Sequence, residues 1–494
     1  MEAEASKTAA PATGGPGGPN PGPAWEGRRP HIVLVIPRGE AARNFLYSET
    51  LEALHEQARV TVLSVVDDPA FAGRFEDRTE RFLPLEEFRP RPSVARLRTL
   101  TENAHDRWLW SEVAKNNWDL RDRRAAERGQ LGRRRLTRAL ARILGNRPTL
   151  RALTALERTL TYRLRPTDHF DRLFEEIRPD LVFNGSHIHG LAGELPLRVA
   201  HAMGIPTAGF IFSWDNLTSR SRIFVPYDDF LVWHRGMKGQ LLSIYPQVRE
   251  SRVHITGTPQ FDFHLRGDLE LSREELCRRI GIDPARPYVL YTTGISNHFY
   301  EEHLHVEAVI RHLEELRLDA RPQLVVRTYV KGTSPEMLAL SRRQIPDVVF
   351  PPVLWEPKWQ TPLFEDLEIY SNLLRHAAVG INAASTVSLE LLLFDKPIIN
   401  LDFDPPGSDL PWCMGFSRHI HFDHYLPVAR SGAVMVARCD DDMRRMLHRG
   451  LTRPGELREA RRLFLEETFG PTLDGRCGRR VAETLLDLAR GSRR

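Results

Sequence analysis

Residues 378–404, AVGINAASTVSLELLLFDKPIINLDFD, limit the folds open to this chain more than any other stretch. Two short apolar runs, 378–382 and 397–401, flank a Ser/Thr turn and a leucine-rich segment that ends at Asp395. Apolar runs of this length between turn signals fit fully buried parallel strands. The segment between them fits the crossover helix of a βαβ unit. Ser385, Thr386 and Ser388 then stand where the first strand ends and the helix begins, the place where such a sheet receives its ligands. Backbone N–H groups at a helix start, helped by hydroxyls, suit a phosphate. The plainer reading is that Ser385 only caps the helix. Glu390, one turn further on, either reaches a sugar or ribose hydroxyl or lies on a solvated face.

The same alternation recurs on both sides of this unit. Residues 31–37 (HIVLVIP) and 60–66 read as strands, with a loop at 38–44 and a helix over 46–57 between them. Strands are also predicted at 179–184 (PDLVFN), 205–212, 288–292 (YVLYT), 323–327 (QLVVR) and within 348–354. A chain of 494 residues patterned in this way predicts an α/β protein of two Rossmann-like, doubly wound domains. The expected division is a disordered Pro/Gly/Ala-rich tail over 1–29, a first domain over 30–228, a second over 229–460, and a C-terminal helix within 461–494. In 257–262 (GTPQFD), Gly257 permits a tight turn and Pro259 fixes φ, which predicts a stiff turn, either a hinge between the domains or an ordinary surface turn.

Loops at strand ends carry the other candidates. Glu40 lies in RGEAARNF, which is not a G-x-G-x-x-G dinucleotide fingerprint. His187 and His189 lie in GSHIHG, and an imidazole titrating near neutrality suits a general base. Their H-x-H spacing has no third ligand placed by the sequence, so no metal site is expected. Asp215 lies in SWDNLTSRSR, beside a tryptophan, an amide and two arginines. Gly294, behind Thr293, lets backbone N–H groups approach a phosphate, and Arg327 and Lys331 are candidate cations for it.

Charge is unevenly spread. Residues 89–165 hold 20 Lys/Arg against 7 Asp/Glu, a balance of +13, whereas the whole chain nets +4. This region reads as helical throughout, with Leu136, Leu140, Ile143 and Leu144 at helical spacing and arginines between them. Such a helix either packs its apolar stripe on the domain or meets an anionic membrane surface. No helix-turn-helix, zinc or aromatic RNA-binding signature accompanies the charge, so nucleic acid is not an expected partner. No run reaches the roughly 18 apolar residues of a membrane span, and the N-terminus shows no apolar signal-peptide core. Cys277, Cys413, Cys439 and Cys477 are scattered without ligand spacing. The expected location is cytoplasmic, with peripheral attachment at the inner face of the membrane if the basic region binds lipid.

Taken together, the strand, S-T-x-S-x-E, apolar helix, D-K-P and second strand of 378–404 resemble the nucleotide-binding segment of the GT-B glycosyltransferase superfamily. P-D-L-V-F-N followed by G-I-P, V-H-I-T-G-T-P-Q-F-D, and the D-G-R ending at 474–476 are similar to bacterial surface-polysaccharide transferases of the capsule and CDP-glycerol glycerophosphotransferase-like type. UDP-N-acetylglucosamine 2-epimerase shares the architecture. The resemblance covers about 30–90 and 168–490; the basic insertion has no counterpart. It implies two Rossmann-like domains facing a cleft and a terminal helix crossing back to the first domain. It implies that a nucleotide sugar is bound by Thr293, Gly294, Arg327, Lys331, Ser385, Thr386, Ser388 and Glu390, as substrate rather than cofactor. Glu40, His187, His189 and Asp215 would offer the base, without metal. The usual R-x-H-P is replaced here by R-T-Y-V-K, which takes away the histidine contact to phosphate. The implied activity is sugar transfer to a polysaccharide, lipid-linked or small-molecule acceptor. The alternatives are a UDP-sugar 2-epimerase and a catalytically silent binding scaffold.

Overall fold

The computed structural model describes residues 28–187, 191–219 and 222–491, so nearly all of the expected tail over 1–29 lies outside the described residues. Its strands are β1 (His31–Ile36), β2 (Arg59–Ser64), β3 (Arg81–Pro84), β4 (Leu181–His187), β5 (Thr207–Ile211), β6 (Asp229–Val232), β7 (Val253–Ile255), β8 (Tyr288–Thr292), β9 (Gln323–Arg327), β10 (Val348–Val349), β11 (Trp355–Glu356), β12 (Thr361–Pro362), β13 (Val379–Asn382), β14 (Ile398–Leu401) and β15 (Met435–Ala437). Seven form one sheet in the order β3-β2-β1-β4-β5-β6-β7, and six form a second in the order β10-β9-β8-β13-β14-β15. All pairings within both are parallel. The central strands β1 (HIVLVI), β8 (YVLYT) and β13 (VGIN) are buried along their whole length, because helices cover both faces of each sheet.

Each sheet reverses its strand order once. In the first the reversal lies between β1 and β4, with Ile32 opposite Leu181; in the second it lies between β8 and β13, with Val289 opposite Val379. At such a point the loops leave the strand ends in opposite directions and open a crevice. The two crevices face each other across the gap between the sheets.

Three expectations change. The change of sheet falls after Ile255 rather than at Asp229, because β6 and β7 extend the first sheet in register with β5. Residues 38–44 are not a loop: Gly39–Phe45 is a helix, as its Glu and Ala residues favour. The element that crosses back is shorter than 461–494. Helix Arg458–Thr468 stays against the second domain, and only Cys477–Gly491 returns, packing along helix Glu49–Gln57. That helix buries Val481, Leu485 and Leu486, each worth about 1.5–3 kcal/mol of transfer free energy. Its first turn is tied to the linker, because the Cys477 and Gly478 N–H groups donate to Asp262 at 3.1 and 2.7 Å. Gly257 has φ +77°, and a side chain there would collide with the Cys477 sulfur, so the linker turn admits only glycine.

The basic insertion is four helices: Pro92–Leu109, Glu112–Glu127, Leu131–Leu144 and Arg147–Arg163. The third and fourth pack on the first. Of the two alternatives for the apolar stripe, packing on the domain does not occur for Leu136, Leu140 and Ile143; all three are exposed, and Arg134 and Ala141 occupy the inner face. No helix among the described residues is long and apolar enough to cross a membrane.

Candidate functional site

The two crevices enclose a cleft of about 510 Å³. Its first-domain wall comes from helix Gly39–Phe45 after β1 and from Phe212–Asn216 after β5. Its second-domain wall comes from Thr293–Ile295 after β8, Thr328–Lys331 after β9, Ser385–Val387 after β13, and Arg418–His424 beyond β14. A third wall was not foreseen: Val113, Asn116 and Leu120 of the insertion helix Glu112–Glu127 line the same cleft. The start of that helix is tied to the second domain, where the Glu112 N–H donates to Asp423 at 2.7 Å. Further ties join the domains. The Trp214 indole donates to Thr386 Oγ1 at 3.1 Å, Lys331 pairs with Glu40, and Arg43 donates to Gln260 at 2.7 Å.

The Ser/Thr cluster divides. Ser385 caps helix Thr386–Leu393, its oxygen accepting from the Val387 N–H at 3.2 Å, and both Ser385 and Thr386 face the cleft. Ser388 does not. It is fully buried among Asn382, Asn400 and Tyr425 at 2.7–3.0 Å, three residues round the helix from the cap and on its inner side. Glu390 borders the cleft, but its carboxylate accepts from Gln260 and Tyr370, both at 2.5 Å, and lies 3.3 Å from His264. Burial opposes its ionisation, yet these partners outweigh burial and hold it below the usual carboxylate range. Thr293 receives the Tyr329 N–H at 2.9 Å. The Gly294 N–H donates to the buried Glu302 carboxyl at 3.0 Å, and a side chain at Gly294 would meet the Phe299 ring. Glycine is therefore explained here by close packing, and its N–H already has an acceptor.

The expected cations are both neutralised. Arg327 donates bidentately to Asp366 at 2.8 and 2.7 Å and to the Pro352 carbonyl at 3.0 Å, and the pair is buried. Lys331 is paired with Glu40 across the cleft. Besides Arg43, which donates to Asn44 and Gln260, the cleft cation that lacks such a match is Arg418, in helix Ser417–Ile420. It is 2% exposed, donates to the carbonyls of Gly415 and His298, and pairs with no carboxylate among the described residues. Its Nε has no partner there. Burial pushes its guanidinium down to about 10, and Asp404, engaged by the Phe416 N–H at 2.6 Å, offsets this only from a distance. Beside it stand His419, stacked on Phe299 with centroids 4.2 Å apart, and His424, edge-on to Trp214. Burial lowers both imidazoles, so both are neutral near pH 7. No strand pattern pointed to this segment. The signal was compositional: R-H-I-H-F-D-H puts an arginine and three histidines into seven residues.

Of the four candidate bases, His187 is not in the cleft. It is 4% exposed, is hydrogen bonded to the Tyr227 hydroxyl at 3.0 Å, and is pushed down to about 3 by burial. It ends β4 and serves the interior. His189 lies outside the described residues. Glu40 borders the cleft but is saturated: Arg38 donates to it at 2.6 Å and Lys331 pairs with it. Burial opposes its ionisation, but the two cations prevail and keep it below the usual range. Asp215 lines the cleft half-buried, accepting from the Ser219 hydroxyl at 2.6 Å, and acts electrostatically on His424. Among the described residues no group of His, Cys, Asp and Glu is arranged to hold a metal ion.

No family model matches the sequence, and no curated protein does. Solved structures do match in fold. A UDP-N-acetylglucosamine 2-epimerase aligns with a TM-score of 0.52 and 13% identity over 93% of this chain and 95% of its own. The UDP-GlcNAc 2-epimerase of Neisseria meningitidis bound to UDP-GlcNAc aligns with a TM-score of 0.52 and 11% identity, over 92% of this chain and 100% of its own. The calicheamicin glycosyltransferase aligns at 0.45 and 12% identity, over 93% and 98%. The chain therefore has the GT-B fold, two Rossmann-like domains about a cleft, shared with enzymes that include 2-epimerases.

Proposed function

We propose that this protein moves a sugar, or a sugar-like phosphate unit, from a nucleotide-activated donor to the hydroxyl of a glycan, lipid-linked or small-molecule acceptor, without a metal. The observation that carries this reading is Arg418, a buried cation without a carboxylate, in the same cleft as the hydroxyl-capped helix start at Ser385 and Thr386. A buried charge without a partner is costly, and an anionic ligand offsets that cost. Fixed donors in a closed cleft stabilise a leaving diphosphate more strongly than water does. In the transfer step the acceptor oxygen attacks the anomeric carbon and its proton passes to Asp215. The bond from that carbon to the phosphate oxygen breaks, and its electron pair leaves on the nucleoside diphosphate, beside Arg418 and the Ser385–Thr386 hydroxyls; where a phosphate unit is moved, the oxygen attacks its phosphorus instead and the P–O–P bond breaks to leave the nucleoside monophosphate. Glu40 and Lys331 hold the two domains together, and Arg327 supports the wall.

The epimerase reading keeps the same donor site and is favoured by the epimerases of similar fold, one of them bound to UDP-GlcNAc. Transfer is favoured by the insertion wall. Asn116 is 6% exposed, faces the cleft, and has a side-chain oxygen without a partner among the described residues. A second substrate would use that wall, whereas an epimerase has no second substrate.

A thermal-shift screen against CDP, UDP, GDP and dTDP names the donor class, because a ligand of the native state raises the melting temperature. The matching nucleotide sugar is then incubated in D₂O and followed by NMR. Transfer or slow hydrolysis releases nucleoside diphosphate, or the monophosphate where a phosphate unit is moved, and leaves C2 unlabelled. Epimerisation breaks the C2–H bond, brings deuterium to C2 and yields a new nucleotide sugar. Absence of any nucleotide shift overturns both readings.

A further inference from the structure

Helix Leu131–Leu144 turns its apolar stripe outward. Leu136, Leu140 and Ile143 are spaced by four and three residues, so they share one face, and they are 61%, 37% and 71% exposed. Arg133 flanks this stripe on one side and Arg135 and Arg142 on the other; all three are exposed, and none pairs with a carboxylate among the described residues. The opposite face is fixed to the insertion. Arg134 donates to Asp122 at 2.5 Å and lies over the Trp118 ring, and Arg138 reaches the same carboxylate at 2.6 Å. The arginines thus have two different employments. Those facing inward are matched by Asp122, and those facing outward border exposed leucine and isoleucine.

An apolar stripe between two rows of arginine needs a partner that offers hydrocarbon and anionic groups side by side. A second copy of this chain offers the hydrocarbon but brings like charge, since the insertion nets +13. A nucleic acid offers phosphates but no apolar phase for leucine and isoleucine. A bilayer with anionic headgroups offers both at the depth a surface helix reaches, with acyl chains just beneath the phosphates. We propose that this outer face docks the protein onto an anionic lipid bilayer, with Leu136, Leu140 and Ile143 at the acyl boundary and Arg133, Arg135 and Arg142 on the headgroup phosphates. Helix Glu112–Glu127, to which this helix is joined through Asp122, also walls the cleft. The inference goes beyond the nucleotide-sugar reading and stands without it.

The test is co-sedimentation of the full-length protein with two vesicle types. One is phosphatidylcholine alone; the other contains roughly one third phosphatidylglycerol, an anionic lipid. The wild-type protein should pellet with the anionic vesicles, less so at high salt, and weakly with the neutral ones. The double variant Leu136→Glu, Ile143→Glu should bind the anionic vesicles about tenfold more weakly or less, and so should the triple variant Arg133→Gln, Arg135→Gln, Arg142→Gln. Both should keep the wild-type melting temperature, because the altered side chains support no packing. Wild-type binding to neither vesicle overturns the proposal, as does anionic binding that survives Leu136→Glu, Ile143→Glu. Light scattering that shows a dimer lost in the same double variant would give the face to a second copy instead. Oligonucleotide binding tighter than vesicle binding would give it to nucleic acid. Either result also overturns the proposal. A failed nucleotide screen leaves this test untouched, so the two readings fail separately.

Discussion

The end of β9 and the helix Ser417–Ile420 each bring an arginine to the same cleft, under opposite electrostatic conditions. Arg327 meets both oxygens of Asp366, and Asp366 also receives the Leu354 N–H and the Trp355 indole, each at 2.8 Å. Arg418 meets only carbonyls. A guanidinium beside a carboxylate has little left to offer a phosphate, whereas one solvated only by carbonyl dipoles still lacks a counter-charge. The difference teaches that a strand end pointing at a cleft supplies a position, and that the partner set decides whether the side chain there binds ligand or builds wall.

Removing the counter-charge is the harshest way to break this comparison. Asp366→Asn leaves Arg327 buried and unmatched and should cost about 3–5 kcal/mol, read as a fall in the denaturant midpoint. The double variant Arg327→Met, Asp366→Asn removes both charges, keeps an amide oxygen as acceptor for the Leu354 N–H or the Trp355 indole, and should recover a large part of that loss. If Asp366→Asn melts like the wild type, Arg327 was not wall. The smaller effect is on binding. Arg418→Gln removes a charge with no partner, so folding should change little. Affinity for the nucleoside diphosphate chosen by the screen should fall about 10- to 100-fold by calorimetry, the worth of one charged hydrogen bond of roughly 1.5–3 kcal/mol. Equal affinity in Arg418→Gln and wild type would erase the distinction between the two arginines.

The architecture was legible because buried parallel strands are written as unbroken apolar runs, as in 378–382 and 397–401, and because a Ser/Thr turn after such a run marks a helix start. What escaped was pairing at long range. Arg327 and Asp366 are 39 residues apart, and Glu40 meets Lys331 across two domains, so neither neutralisation leaves a local trace. Ser388 escaped for a finer reason. S-T-x-S reads as one polar cluster, but the helix turns the third hydroxyl inward, onto Asn382 and Asn400. For residues 38–44 the place after a strand suggests a loop, and the helix preference of Glu40, Ala41 and Ala42 prevails over it. The insertion showed its charge and its apolar period, but a period alone does not say which face of the helix the domain takes.

Glu302 sharpens the comparison from the acidic side, with the smallest effect. Like Arg418 it is buried and lacks an oppositely charged partner among the described residues; it accepts only from the Gly294 N–H at 3.0 Å and the Tyr291 hydroxyl at 3.3 Å. A carboxyl can escape burial by keeping its proton, which a guanidinium does not do near neutrality, and burial pushes Glu302 up to about 8. The unfolded chain releases that proton near the ordinary value of 4.5, so between these limits the folded state binds more protons than the unfolded one. The stability this group contributes is therefore complete below about pH 4.5, falls as the pH rises, and is lost through about pH 8. Glu302→Gln keeps an acceptor for Gly294 and cannot ionise. Melting curves at about pH 6 and about pH 9 should show the wild type losing several degrees more than Glu302→Gln between the two. Parallel losses in the two proteins would mean that Glu302 is already ionised at about pH 6, and that the second domain buries a bare carboxylate as well as a bare guanidinium.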